Sequence, residues 1–146
     1  MKIKKENILD SKKSYDAICV TTNGVVKSNG RLVMGAGVAK AFKEKYPGLD
    51  LELGKKVKEY GNIPFVIYRK GTAIVSFPTK HHWKHKSDIG LIMNSARALS
   101  KIASARFWTQ IAIPAPGCGH GGLDWDTQVR PGIQNILDDR FTIHFL

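Results

Sequence analysis

Three short stretches hold residue types that could act on an anionic ligand. In the first, residues 111–126, the apolar run Ile111, Ala112 and Ile113 breaks at Pro114 and Pro116. It opens into Gly117, Cys118, Gly119, His120, Gly121 and Gly122, then closes on Leu123 and Asp124. Glycines let backbone N–H groups approach a phosphate closely, and a helix starting behind them adds partial positive charge. The second stretch, Met34, Gly35, Ala36, Gly37 and Val38, repeats this arrangement ahead of a helical pattern. Neither the Walker signature nor the dinucleotide fingerprint fits the loop over residues 117–122. One glycine loop can be a mere turn; two at strand ends could grip a diphosphate from both sides. The third stretch, residues 78–86, carries Lys80, His81, His82, Trp83, Lys84, His85 and Lys86. A lysine there can bind phosphate at the surface, stabilise developing charge, or attack a carbonyl carbon as a free amine.

His81, His82, His85 and His120 invite a metal reading, yet no cysteine or carboxylate sits at supportive spacing, so no metal is expected. His120, inside the loop, is the best imidazole for an acid–base or sugar-contacting role. Asp124 and Asp126 could be catalytic carboxylates, but capping the next helix is the simpler expectation. Trp125 is expected to pack under the loop. Trp83 could stack on a base or merely anchor its own segment.

The elements that must position these residues alternate along the chain. Residues 1–5 read as a short edge strand, and residues 6–14 as a polar connection. Ala17, Ile18, Cys19 and Val20 form a compact apolar run of the kind buried on both faces of a sheet. A hairpin is expected over residues 25–33, turning at Asn29 and Gly30. Helices are expected over 39–46 and 49–60, and strands over 65–68 and 73–77. A helix starting after Asp88 carries Ile89, Ile92, Ala96, Leu99 and Ile102 at helical spacing. A last helix over 127–138 and an alternating strand over 140–145 follow. This order predicts a three-layer α/β/α sandwich with a central mixed sheet, folded as one domain over residues 1–146.

The 146 residues are enough for one core, and no apolar run is long enough to span a membrane. The basic, polar N-terminus lacks a signal-peptide pattern, so a cytoplasmic location is expected. Cys19 and Cys118 are the only cysteines; no disulfide is expected. The net charge of +11 points to an anionic partner: nucleotide, nucleic acid or acidic protein.

Taken together, Thr21-Thr22-Asn23-Gly24, Met34-Gly35-Ala36-Gly37-Val38-Ala39, Phe77-Pro78-Thr79-Lys80-His81-His82-Trp83 and Gly117-Cys118-Gly119-His120-Gly121-Gly122-Leu123-Asp124-Trp125 resemble a macrodomain. The similarity is greatest to the branch holding the terminal ADP-ribose protein glycohydrolases and the DNA ADP-ribosyl glycohydrolase antitoxins. It implies an ADP-ribose pocket at the C-terminal edge of the sheet. Gly35, Ala36, Gly37 and Val38 would hold the proximal side of the diphosphate. Residues 116–123 (Pro116, Gly117, Cys118, Gly119, His120, Gly121, Gly122 and Leu123) would wrap the other side and reach the distal ribose.

Asn23 matches the family's asparagine near that ribose, and Lys80 matches the catalytic lysine of the antitoxin-like branch. Asn7, with Ile8 beside it, falls where many members place an aspartate on the adenine amino group. The second loop lacks the aspartate of the protein-directed enzymes, having His120 or Gly121 there instead. Residues 25–33 lengthen the first loop. The resemblance implies an ADP-ribosyl hydrolase acting on DNA or protein, monomeric, without cofactor, with DNA contact through the basic surface. A non-catalytic ADP-ribose reader and an enzyme acting on ADP-ribose 1''-phosphate are the alternatives.

Overall fold

The computed structural model describes residues 1–11 and 13–146; Lys12, within the polar connection read from the sequence, lies outside the described residues. Six strands form one sheet in the order β1-β6-β5-β2-β4-β3: β1 Lys2–Lys5, β2 Ala17–Thr22, β3 Val66–Arg69, β4 Thr72–Pro78, β5 Ile111–Pro114 and β6 Phe141–Phe145. All neighbours are parallel except β3, which runs antiparallel to β4. The β3–β4 turn has Lys70 and Gly71 both at positive φ (50° and 77°), the geometry that matches the twist of a two-residue hairpin.

Helices cover both faces. α1 (Gly37–Lys45) and α2 (Leu49–Tyr60) pack on one side, while α3 (Ile89–Ala105) and the short α4 (Arg130–Ile133) pack on the other. Period-2 alternation divides each inner strand between the two cores. Ala17 and Cys19 of β2 face α3, whereas Val20 joins Phe42, Leu49 and Leu53 beneath α1 and α2. In β5, Ile111 and Ile113 face the first core and Ala112 the second. The fold is the expected three-layer sandwich with a mixed sheet. Among the described residues, no helix is long and apolar enough to cross a membrane.

Three local expectations change. Residues 25–33 turn as a hairpin but form a single bridge, Val26 to Leu32, instead of two strands. Its rungs are Lys27 N–H to the Arg31 carbonyl and Val33 N–H to the Val25 carbonyl. Its outer edge is tied elsewhere: Leu32 N–H donates to the Asp50 carbonyl at 2.9 Å, and Arg31 pairs with the buried Asp50 carboxylate at 2.8 Å. The hairpin is therefore bolted to α2. The last helix begins earlier and breaks sooner than the sequence suggests. A wide turn, Trp125–Val129, runs into α4, with Arg130 N–H reaching back to the Trp125 carbonyl. Pro131 cannot donate a backbone hydrogen bond, and Gly132 beside it is a poor helix former. Finally, β6 is not half-exposed: Thr142 and His144, the polar half of its alternation, are 7 % and 4 % exposed.

The hairpin contact supplies a stability prediction. A Cβ on Gly54 would meet the Gly30 carbonyl oxygen and lie 2.8 Å from Leu32 N, both backbone atoms that cannot rotate away. Gly54→Ala is expected to destabilise by about 2–3 kcal/mol despite alanine's better helix propensity. A lowered urea midpoint with unchanged m would record it; equal or higher stability would contradict the close packing.

Candidate active site

The C-terminal ends of the parallel strands β2, β4, β5 and β6 collect at one edge of the sheet, and the loops leaving them enclose a cleft of about 1230 Å³. All three stretches singled out in the sequence line it. Gly35, Ala36, Gly37 and Val38 form one wall, Gly117, Cys118, Gly119, His120 and Gly121 the other, and Lys80 stands between them with Asn23. Asn7 and Ile8 line the end nearest β1.

Pro116, Gly122 and Leu123 do not line the cleft. Pro116 is buried beneath the loop, and Leu123 packs against the core under α3. Gly122 N–H donates to the Gly119 carbonyl and Leu123 N–H to the Gly117 carbonyl, so both donors close the loop on itself. The donors free to face a ligand therefore belong to residues earlier in the loop.

Each wall offers unfilled hydrogen-bond donors. α1 starts at Gly37 (φ +56°), and its N-cap, Ala36, has no side chain able to satisfy the first N–H groups. Those groups belong to residues that line the cleft, Gly37, Val38 and Ala39, at the positive end of the helix dipole. The glycines differ in what they answer to. A Cβ on Gly117 would meet Ile92 Cδ1 at 2.8 Å, and one on Gly121 would meet Ser87 Oγ and the Gly117 carbonyl, so the chain's own packing requires both. Gly35 and Gly119 have no heavy atom within 4 Å of the same point and no positive φ. Their missing side chains leave room in the cleft and serve nothing else.

Lys80 is fixed at three points. Its N–H donates to the Thr22 carbonyl at 3.4 Å, its carbonyl accepts from Asn62 Nδ2 at 3.0 Å, and its Nζ donates to the His120 carbonyl at 3.2 Å. The segment around it is sutured on both sides. Thr79 N–H bonds the Thr22 carbonyl, Asp88 N–H bonds the Thr79 carbonyl, and Ser87 N–H bonds the Gly121 carbonyl. The His120 ring passes over Gly37, whose Cβ would lie 3.3 Å from His120 Cδ2. The two walls and the lysine loop thus meet at His120.

Asn23 is largely committed to its own loop. Its Oδ1 accepts from Val25 N–H and its Nδ2 donates to the Val33 carbonyl, each at 3.0 Å, which leaves one amide hydrogen for a ligand. Asn7 Oδ1 caps the turn Ile8–Asp10 by accepting Leu9 N–H at 3.0 Å.

Asp124 is the N-cap of the following turn and accepts from Thr127 N–H at 2.8 Å; this and the Thr127 hydroxyl hold its carboxyl below the usual range. Its oxygen is spent on capping, as expected. Burial, with the Asp124 charge nearby, pushes the Cys118 thiol up to about 11, so it is protonated at neutral pH and no nucleophile. Trp125 packs edge-on against Phe145 beneath the site. Among the described residues, no three His, Cys, Asp or Glu side chains gather where they could hold a metal ion.

Several contributors were not read from the sequence. Asn62 and Ser87 brace the lysine loop from elsewhere in the chain. Glu6, His144 and Phe145 line the β1 end of the cleft. Desolvation lowers the pKa of His144, whose Nε2 meets the Tyr15 hydroxyl at 3.1 Å. The available signal was topological: if β6 is parallel to β5, its last residues must reach the same sheet edge as the second glycine loop.

Comparison with known proteins agrees with this architecture. The Macro domain family model matches residues 25–130. A DNA ADP-ribosyl glycohydrolase of Thermus aquaticus is 34 % identical over 115 residues, covering 73 % of this chain and 31 % of the relative. The chain therefore spans about a third of that relative's length. Among solved structures, the macrodomain of Mycobacterium tuberculosis DarG superposes with a TM-score of 0.80 at 26 % identity, covering 99 % of this chain and 97 % of the other. Thermosipho africanus DarTG in complex with ADP-ribose gives 0.75 at 26 % identity, covering 90 % of this chain and 38 % of the other.

Proposed function

The chain belongs to the macrodomain family, and on that premise we propose that its cleft binds ADP-ribose and hydrolyses it from a macromolecular adduct, ADP-ribosylated DNA foremost. The observation that carries this reading is the placement of Lys80. Lys80 is held through its backbone at two points and through Nζ on the carbonyl of the second glycine loop, inside the cleft that both glycine loops line. A reader of ADP-ribose would use the same walls and could spend the ammonium group on a phosphate, so the two readings part at turnover: Lys80→Ala separates them by whether release stops while binding is kept. The relatives named DNA ADP-ribosyl glycohydrolase and the net charge of +11 both favour DNA as the carrier.

In this reading the open N–H groups from Gly35 to Val38 hold the proximal side of the diphosphate, and Gly117 to Gly121 hold its other side. Asn23 supplies its remaining amide hydrogen to the distal ribose. Lys80 meets the charge that develops as the bond at the anomeric carbon breaks, or its free amine attacks that carbon and displaces the carrier, which leaves with a proton. In the second route water then hydrolyses the lysyl–ribose imine to free ADP-ribose and the amine. His120 aligns Lys80 through its backbone and presents its ring to the sugar. Asn7 and Ile8 border the adenine.

The test is parallel incubation with ADP-ribosylated DNA, ADP-ribosylated protein and ADP-ribose 1''-phosphate. Release of ADP-ribose fastest from the DNA supports the proposal. Tight ADP-ribose binding with no release from any of the three would make the protein a reader.

The base subsite yields a further expectation. Asn7 has one oxygen, already capping Leu9. A carboxylate there keeps that cap with one oxygen and offers the other, charged, to the adenine amino group. Asn7→Asp is expected to tighten ADP-ribose binding about three- to ten-fold in a calorimetric titration. An unchanged Kd would remove this residue from the base contact.

A further inference from the structure

The mouth of the cleft carries a ledge of rings and cations that the proposed hydrolysis does not use. Trp83 lines the cleft three residues beyond Lys80, yet its side chain is 48 % exposed. A large apolar ring left half in water while its neighbours fix it in place calls for a partner. His82 stacks on the indole, with ring centroids 5.4 Å apart and planes inclined by 27°. His85 braces His82 at 5.1 Å, and His82 Nδ1 accepts the Lys84 N–H at 3.1 Å. Lys84 Nζ lies over the indole ring, 5.1 Å from its centroid, a place that a stacking base would take as the ammonium group moves to a phosphate. The ring is thus presented by its own loop rather than sunk into the core.

The charge around it is unbalanced. Residues 78–87 include Lys80, Lys84 and Lys86 and no acid. The first carboxylate after them, Asp88, is occupied: it bonds His81 Nε2 at 2.8 Å and caps α3 through Gly90 and Leu91. A presented aromatic face flanked by uncompensated ammonium groups suits a single nucleic-acid strand, whose bases stack and whose phosphates pair with lysine. A peptide would satisfy the cations only if acidic, and would leave the indole without a flat partner.

We infer that Trp83, with Lys84 and Lys86, forms a subsite for the nucleotide adjoining the ADP-ribosylated one, its base stacked on the indole and its phosphates along the two lysines. This rests on the reading of the cleft as an ADP-ribosyl-DNA hydrolase site and adds to it a second contact region along the same cleft, on the side of the lysine loop.

The test compares three substrates: an ADP-ribosylated oligonucleotide, the same oligonucleotide with abasic positions on both sides of the adduct, and an ADP-ribosylated peptide. Wild type, Trp83→Ala and Trp83→Tyr are assayed on each. Trp83→Ala is expected to raise KM about ten-fold or more on the intact oligonucleotide, with kcat held and tyrosine restoring most of the loss. On the abasic oligonucleotide, wild type and Trp83→Ala should perform alike, and free ADP-ribose should bind both equally. Equal losses on intact and abasic substrates would make Trp83 only a loop anchor, and no loss would remove the subsite. The same dependence on the peptide would assign the ledge to protein. If wild type turns over none of them, the hydrolase reading fails, and fluorescence anisotropy still reads the ledge. Wild type must then bind the intact oligonucleotide more tightly than the abasic one, and Trp83→Ala must not.

Discussion

Gly119→Val is expected to remove ADP-ribose binding and leave the fold untouched. Nothing in the chain asks for glycine at this position: φ is not left-handed, and no heavy atom lies within 4 Å of where a Cβ would stand. Gly119 lines the cleft, so on the proposed reading a branched side chain there displaces the diphosphate from the loop's N–H groups. Loss of two charge-assisted hydrogen bonds corresponds to a Kd raised on the order of 100-fold or more. Two positions along the same loop the result should invert. A Cβ on Gly121 would collide with Ser87 Oγ and sit 2.5 Å from the Gly117 carbonyl oxygen, so Gly121→Val is expected to destabilise by about 2–4 kcal/mol. Thermal unfolding and calorimetric titration of the two variants separate the roles. Normal affinity in folded Gly119→Val would mean that ADP-ribose does not use this wall.

Lys80→Ala is expected to show the opposite division: ADP-ribose still binds and turnover is lost. The side chain's one hydrogen bond is to the His120 carbonyl, and removing it leaves both glycine walls in place. Deleting a group that stabilises transition-state charge typically costs about 10²–10³ in kcat, and deleting a nucleophile costs at least that. Lys80→Arg keeps the charge but replaces the amine with a planar guanidinium. Partial activity in that variant assigns a charge-stabilising role, and activity as low as in alanine assigns attack by the amine. Retention of full kcat in Lys80→Ala would exclude Lys80 from the chemistry.

The parts legible in the sequence were those written in contiguous residues. Apolar runs such as Ala17 to Val20 marked strands buried on both faces, and Asp88 marked the start of α3 by its own capping chemistry. Both glycine loops and the lysine segment announced themselves by local composition. What the sequence withheld was set by distant contacts. Asn62 reaches the Lys80 carbonyl across 18 residues, and Lys80 Nζ reaches the His120 carbonyl across 40. The same holds for His144, buried although polar, because Tyr15 comes from 129 residues away to meet it. The hairpin over residues 25–33 keeps its rungs and is tied by its outer edge to α2, a contact that no turn signal records. Within the second loop, composition could mark the glycines but not sort them. Gly117 and Gly121 are required by packing, Gly119 is open to a ligand, and Gly122 turns away from the cleft.

The proposed hydrolysis breaks one particular bond, the one joining the distal ribose to its carrier. The most direct measurement is the intact mass of an ADP-ribosylated oligonucleotide after incubation with a stoichiometric amount of the protein. Hydrolysis at that bond gives unmodified oligonucleotide together with free ADP-ribose. An oligonucleotide of unchanged mass, or one retaining a phosphoribosyl remnant from cleavage within the diphosphate, would contradict it.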